Sequence, residues 1–263
     1  MPRINAAGRS LEVEQYGPAP DEAPTLVLLH EGLGSVSTWK DWPRRLADAG
    51  PWGVVAYSRA GYGTSDPIVR PRSLRYMHDE ALEALPEVLD ALGVERCVLV
   101  GHSDGGSIAL IHAGSDRCHP SVRGLVTLAA HVFCEDLSVA SIEAAKLAYE
   151  TTDLRERLAR HHADVDGAFW GWNDAWLDPD FRNWNLESYL PGIRVPTLIV
   201  QGSDDAYGTM AQVDAIEAGI SAPTQRLILP GAGHAPHREA TETLTAAVTA
   251  FVGPLLVRSC VIL

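Results

Sequence analysis

Residues 97–107 read Cys97-Val-Leu-Val-Gly-His-Ser103-Asp-Gly-Gly-Ser107, and this stretch decides the fold. It opens with a short apolar run, which is typical of a strand covered on both faces. The run leads into Gly101 to Gly105, which fits the pattern G-x-S-x-G, and a helical pattern follows. A strand, a tight turn and a helix in this order place the central serine at the exposed end of a sheet, beside a positive helix N-terminus. The pattern therefore predicts Ser103 as a nucleophile. The alternative is an idle serine in a glycine-rich turn.

The rest of the chain alternates between strand-like and helical patterns. The strand-like runs are Leu11 to Tyr16, Thr25 to His30, Trp52 to Tyr57, Val122 to Ala130, Val195 to Gln201 and Arg226 to Leu229. Helical spacing covers Ser73 to Leu92, where Pro86 should cause a kink, and about Glu239 to Val252. This alternation predicts an α/β fold with a mostly parallel central sheet of about eight strands and helices on both faces.

The alternation is interrupted between residues 131 and 190, where the spacing is helical and the setting polar and acidic. Five aromatic residues lie in this segment: Phe169, Trp170, Trp172, Trp176 and Trp184. We interpret it as a helical cap inserted between two strands. The predicted division is therefore a first core part at 1–130, a cap at 131–190 and a second core part at 191–263.

A serine hydroxyl becomes a good nucleophile only when a base accepts its proton, and in this arrangement the chain order is serine, acid, histidine. His234 follows a strand end and precedes the last helix, which makes it the predicted base, with His237 as the nearby competitor. The acid should follow the strand that ends at Gln201. Both Asp204 and Asp205 stand there, and we prefer Asp205.

The predicted reaction also needs backbone N–H groups that stabilise the negative oxygen of the transition state. We expect these donors to be the amides of Asp104, directly after the serine, and of Gly32, in the loop after the strand Thr25 to His30. His30 itself is interpreted as a group that braces this loop and takes no part in proton transfer.

Five stretches together resemble the α/β-hydrolase superfamily: LLHEGLGS (28–35), SRAGYGTS (58–65), GHSDGG (101–106), GSDD (202–205) and GAGH (231–234). More narrowly, the chain is similar to small bacterial esterases, cofactor-free perhydrolases and carbon–carbon bond hydrolases with a helical cap. The resemblance spans His30 to the helix after His234. It implies that the acid stands three positions after the strand-end glycine, at Asp205, and that Gly32 donates to the oxyanion.

Three positions depart from the pattern of these relatives: Glu31, Ala235 and Ser58, which stands where aspartate is common. Glu31 stands where glycine is usual, and a carboxylate beside an oxyanion would oppose the developing charge unless it is paired. It either bonds to neighbouring groups or lines the pocket and selects the substrate. Ala235 stands where many carbon–carbon hydrolases carry tryptophan, which weakens that assignment.

The resemblance implies hydrolysis of a small or medium, apolar carboxylic ester through an acyl-enzyme. The alternatives are carbon–carbon bond hydrolysis or perhydrolase (haloperoxidase) chemistry on the same residues, or a ligand sensor with slow turnover. The expected substrate pocket comprises Glu31, His102, Trp170, Trp172, Trp176 and Tyr207. The tryptophans could equally serve to pack the cap onto the core.

Composition limits the partners to a small-molecule substrate. A net charge of −13 disfavours both nucleic acid and an anionic membrane surface. We expect no cofactor and no metal, because the four cysteines follow no metal-type spacing and suit free thiols in the cytoplasm. A homo-oligomer is left open. The chain ends in Cys260-Val-Ile-Leu263, a prenylation-type pattern that lacks an upstream basic segment, and we interpret it as a short apolar tail or a cloning remnant.

Overall fold

Eight strands form one sheet in the computed structural model, which describes residues 2–256. The strands are β1 (Arg3–Ala6), β2 (Arg9–Tyr16), β3 (Thr25–Leu29), β4 (Gly53–Tyr57), β5 (Cys97–His102), β6 (Val122–Leu128), β7 (Thr197–Gly202) and β8 (Thr224–Leu229). Their order across the sheet is β1-β2-β4-β3-β5-β6-β7-β8. β2 pairs antiparallel with both of its neighbours, and the other pairs are parallel. The predicted α/β fold class is confirmed.

The central strands are mostly apolar because helices cover both faces of the sheet. In β3, Leu26 and Leu28 pack into one core cluster, whereas Val27 and Leu29 pack into the other. This is the alternation that a strand imposes on successive side chains. A run without polar residues therefore serves both layers at once.

Ten helices surround the sheet within the described residues. They are α1 (Trp42–Asp48), α2 (Tyr76–Asp79), α3 (Leu85–Ala91), α4 (Asp104–Gly114), α5 (Asp136–Thr151), α6 (Leu154–Leu158), α7 (Val165–Leu177), α8 (Met210–Gly219), α9 (Pro236–Glu239) and α10 (Thr241–Leu256). A π-helical segment, Glu80–Ala84, joins α2 to α3 directly before Pro86. The irregularity expected at this proline is therefore a widened turn, which accommodates a residue without an N–H group.

The segment between β6 and β7 is helical. It contains α5, α6 and α7, followed by two 3₁₀ turns at Pro179–Asn183 and Glu187–Gly192. We call residues 136–192 the inserted segment. Its aromatic rings pack on one another; Phe181 and Trp184, for example, stack with centroids 5.4 Å apart. The exact cap boundaries at 131 and 190 remain a prediction.

Two expectations concern the environment of the chain. No helix within residues 2–256 is both long and apolar enough to cross a bilayer. The C-terminal tetrapeptide at 260–263 lies outside the described residues, so its interpretation stays a prediction. Cys97, Cys118 and Cys134 are free thiols.

Candidate active site

Ser103 lies at the sharp turn between β5 and α4, with a backbone φ of +51°. An L-residue adopts this conformation only when its surroundings enforce it. The turn is tight enough that a Cβ at Gly101 would overlap the backbone of residues 105 and 106, and a Cβ at Gly105 would overlap the carbonyl of Leu29. Glycine is therefore required on both sides of the serine.

The structure brings Ser103, His234 and Asp205 into one hydrogen-bonded line. The Ser103 Oγ lies 3.0 Å from His234 Nε2. On the other side of the ring, His234 Nδ1 lies 2.9 Å from both carboxylate oxygens of Asp205. An ionised carboxylate can only accept, so Nδ1 carries the ring proton and Nε2 presents its lone pair to the serine hydroxyl.

The surroundings of Asp205 keep its carboxylate charged and oriented. Burial raises its pKa, but the hydrogen bonds from His234 and from the Tyr207 amide prevail, and the net pKa is lowered. The Gln201 amide also donates to it, at 2.8 Å. The side chain of Asp205 is only 1% exposed. An ionised acceptor that is held by three neighbouring groups is what a neutral imidazole needs to stay in one tautomer.

The two competitors named from the sequence lie elsewhere. The carboxylate of Asp204 is exposed and accepts from the Ser203 hydroxyl at 2.7 Å. The ring of His237 is buried against Trp39, with centroids 4.9 Å apart, and neither of its nitrogens has a partner among the described residues. The structure thus places Asp205 and His234, not their neighbours, beside the serine.

The loop that carries Asp205 is bonded to the inserted segment. Ser138 and Ser141, both on α5, donate to the carbonyls of Tyr207 and Ala206 respectively. Glu135 accepts from the hydroxyl of Thr209 at 2.6 Å. Tyr207 in turn stacks on His234, with ring centroids 4.6 Å apart. The position of the acid therefore depends on α5 as well as on β7.

The two expected oxyanion donors face the same cavity as Ser103. Within residues 2–256, neither the Gly32 amide nor the Asp104 amide has an intramolecular acceptor, so both are free for a ligand. A Cβ at Gly32 would overlap the indole of Trp172, so only glycine lets this loop pass beneath α7. The Asp104 side chain is buried, where it accepts from the Tyr76 hydroxyl and lies 4.0 Å from an Arg59 nitrogen.

The cavity above Ser103 is small, about 120 Å³, and mostly apolar. It is lined by Glu31, Gly32, Leu33, Ser103, Asp104, His131, Ser138, Ile142, Trp172, Trp176, Tyr207 and His234. Four of the six pocket residues expected from the sequence are among them: Glu31, Trp172, Trp176 and Tyr207. The sequence did not identify four further lining residues, because no local motif marks a side chain that the fold brings in from another element. These are Leu33, His131, Ser138 and Ile142.

Two expected pocket residues do not line the cavity. Trp170 lies on the other side of α7 from Trp172 and Trp176, which are one turn apart, and it packs edge-on against Tyr149 and Phe169. His102 precedes the serine on β5, so its side chain points below the cavity and is only 2% exposed.

Glu31 combines the two interpretations offered for it. Its carboxylate lines the cavity and its side chain is 19% exposed. It is also paired: one oxygen lies 3.4 Å from His102 Nδ1, and the other lies 4.0 Å from an Arg238 nitrogen. Burial alone would raise the pKa of Glu31. The neighbouring histidines, His102 first, lower this pKa by more than burial raises it, so the net pKa is well below the usual range.

His30 has the bracing role expected for it. Its Nε2 accepts from the Arg59 amide at 3.0 Å, and its Nδ1 donates to the Glu31 carbonyl at 2.7 Å. Burial lowers the pKa of this imidazole well below its ordinary value, so it stays neutral. Both ring nitrogens are used within the loop.

A mostly parallel sheet that presents a serine, an aspartate and a histidine in this chain order defines the class of α/β hydrolases. The chain belongs to the alpha/beta hydrolase family, whose model matches residues 26–247.

Several proteins of known name or structure are similar to the chain. It is 30% identical over 219 residues to 2-succinyl-6-hydroxy-2,4-cyclohexadiene-1-carboxylate synthase of Serratia proteamaculans, covering 83% of this chain and 74% of that protein. It is 24% identical to a proline iminopeptidase of Lactobacillus helveticus, covering 86% and 88% respectively. The crystal structure of the esterase RhEst1 from Rhodococcus sp. superposes with a TM-score of 0.73 at 21% identity, over 97% of this chain and 98% of that chain. These likenesses support a hydrolase of this fold without fixing the bond it cleaves.

Proposed function

We propose that this protein is a serine hydrolase that cleaves a small or medium, apolar carboxylic ester through an acyl-enzyme. The observation that supports it most is the hydrogen-bonded line from Ser103 through His234 to Asp205, directly below two unbonded amides. Such a line supplies a base, and the amides supply a place for negative charge. Neither the base nor the pair of amides alone would suffice to catalyse this reaction.

In the proposed reaction, Ser103 Oγ attacks the carbonyl carbon of the ester while its proton passes to His234 Nε2. The resulting tetrahedral oxyanion accepts from the amides of Gly32 and Asp104. As the carbon–oxygen bond of the leaving group breaks, the protonated His234 gives its proton to the departing alcohol. Water then repeats the attack on the acyl-enzyme, with His234 again taking a proton, and releases the acid. Asp205 remains ionised throughout and stabilises the imidazolium.

The cavity suggests the substrate class. Its volume of about 120 Å³ lies below the range usual for drug-sized ligands, and most of its lining surface is apolar. We therefore propose a short acyl group, with the inserted segment acting as a lid. A serine nucleophile argues against epoxide hydrolysis, for which relatives of this fold use aspartate.

The test is a chain-length series of p-nitrophenyl esters assayed on the wild-type protein and on Ser103→Ala. We expect turnover to be highest for short acyl groups and to fall by about 10⁴-fold or more in the variant. Ser221→Ala, at an exposed position between α8 and β8, is the matched control and should behave as wild type. Equal rates in wild type and Ser103→Ala would refute the mechanism.

The alternatives predict different results in the same assays. A ligand sensor would be labelled by a fluorophosphonate at Ser103 yet scarcely turn over esters. Perhydrolase chemistry would give halogenation that depends on acetate and peroxide. A carbon–carbon bond hydrolase would leave the ester series slow and flat with chain length.

A further inference from the structure

Both ring nitrogens of His102 face oxygen atoms. Nε2 lies 2.6 Å from the backbone carbonyl of His234, and Nδ1 lies 3.4 Å from a carboxylate oxygen of Glu31. A carbonyl oxygen can only accept, so Nε2 must carry a proton. The same argument applies to Nδ1 whenever Glu31 is ionised, because a carboxylate then offers no proton to the ring lone pair.

The charges around Glu31 keep it ionised. Its pKa lies well below the usual range, because burial is outweighed by effects led by the hydrogen bond with His102, and a nitrogen of Arg238 lies 4.0 Å from its other oxygen. With Glu31 charged, the only arrangement that satisfies both contacts of His102 is a doubly protonated ring. The carboxylate and the imidazolium together carry no net charge.

Two of the other rings around His102 are neutral imidazoles. His237, on α9, contacts the His102 ring, and His131, which follows β6, faces it. Burial lowers the pKa of each of these two histidines to about 3. Trp39 closes a further side, with its ring centroid 6.2 Å away. His234 lies 5.3 Å away, centroid to centroid. Within residues 2–256 these imidazoles are not arranged to share a metal ion.

We propose that Glu31 and His102 form a buried carboxylate–imidazolium pair that positions His234 through its backbone carbonyl and cancels the charge of Glu31 beside the oxyanion amides. Both are positioning residues, and their effect on activity rests on the proposed function. A carboxylate in the oxyanion loop would oppose the negative charge that develops on the substrate. The imidazolium offsets the charge of this carboxylate, because its Nδ1 lies 3.4 Å from a Glu31 oxygen.

Loss of the second proton from His102 would break the pair. Nδ1 would then present a lone pair to the carboxylate, and Glu31 would stand uncompensated next to the Gly32 amide. The developing oxyanion would then be opposed by that charge, although the Nε2 contact with the His234 carbonyl would remain. Activity should therefore depend on the second proton of His102.

Nitrogen NMR of the imidazole rings tests the protonation state without any assay of activity. At pH 7.5 we expect one ring to give the shifts of a doubly protonated imidazole, and this signal should disappear in His102→Asn. A neutral His102 at that pH would overturn the proposal even if the protein proves to be an esterase. The same measurement remains informative if ester turnover is absent.

The pH profile of kcat supplies the second test. In Glu31→Gln the side-chain amide can donate to the Nδ1 of a neutral His102, which keeps its Nε2 proton on the His234 carbonyl. Activity in this variant should therefore no longer depend on the second proton of His102, and its pH profile should differ from that of the wild type. Glu143→Gln, on the exposed face of α5, is the matched control and should keep the wild-type profile. A profile in Glu31→Gln that matches the wild type would contradict the pairing.

A double-mutant cycle separates pairing from simple support of the loop. His102→Phe leaves Glu31 uncompensated and should lower kcat by about 100-fold. Adding Glu31→Gln to His102→Phe removes that charge and should restore part of the rate, so the two effects should not add. Additive effects would show that the two side chains act separately and would refute the pair.

Discussion

At the scale of single residues, Asp204 and Asp205 are the same amino acid in opposite environments. Asp205 is buried and bonded to His234, whereas Asp204 is exposed. Asp205→Asn should lower kcat by about 10⁴-fold, because an amide nitrogen in place of the carboxylate oxygen favours the wrong tautomer of the imidazole. Asp204→Asn should stay close to wild type. Steady-state kinetics at pH 8 on both variants checks this, and similar losses in the two would contradict the assignment of the acid.

The residues predicted from the sequence were those that a local pattern marks. The strand–turn–helix context singles out Ser103, and a strand end followed by a helix singles out His234. The partnership between Glu31 and His102 has no such mark, since the two lie 71 positions apart and meet only when the loop after β3 packs beside β5. His131 was missed for the same reason.

At the scale of elements, α7 presents two different faces. Trp172 lines the cavity and lies directly over Gly32, whereas Trp170 packs on Tyr149 away from it. Trp172→Ala should therefore enlarge the cavity and shift the preferred ester towards longer acyl chains. Trp170→Ala is the matched control and should leave the preference unchanged. The ratio of kcat/KM for butyrate and octanoate esters reports the shift, and an identical shift in both variants would contradict this orientation of α7.

Element types followed from the sequence more closely than element bounds. Mostly apolar runs identified β3, β4, β5 and β7, because burial on both faces leaves polar residues only near the ends of these strands. β1 was not predicted, since its four residues are too few for an alternating pattern to mark a strand. The sequence predicted only a kink at Pro86, not the π-helical turn that precedes it. The spacing of apolar residues does not distinguish the ways in which a helix can accommodate a proline.

At the scale of the whole molecule, buried neutral histidines should make stability depend on pH. Burial lowers the pKa of His112 to about 4 and those of His131 and His237 to about 3. A native pKa below the unfolded value means that the unfolded chain binds more protons between the two values. The stability is thus fully present above about pH 6.5 and is lost as the pH falls towards 4.

Urea unfolding at pH 7.5 and pH 5 measures this dependence. Each such histidine should lower the free energy of unfolding at pH 5 by about 2 kcal/mol relative to pH 7.5. His112 donates to the Ala81 carbonyl and accepts from the His119 amide, and a glutamine could do both. His112→Gln should therefore reduce the difference between the two pH values by about 2 kcal/mol, whereas Glu143→Gln should not. No change in His112→Gln would count against a neutral native His112.

The order of elements along the whole chain was sufficient to predict the fold class and the helical structure of the segment between β6 and β7. It could not predict the volume left between the insertion and the sheet, because that depends on how Trp172 and Trp176 are oriented. For the same reason the sequence alone predicted a medium substrate as readily as a small one.

The hydroxyls of α5 that bond to the carbonyls of Ala206 and Tyr207 have a consequence for access to the cavity. If α5 moves outward to admit a substrate, those bonds must stretch, and the backbone beside Asp205 is released with them. The entrance could then be open, or the imidazole correctly held, but not both at the same time. In that case the base would be fully oriented only with the entrance shut, and premature reaction with water would be discouraged.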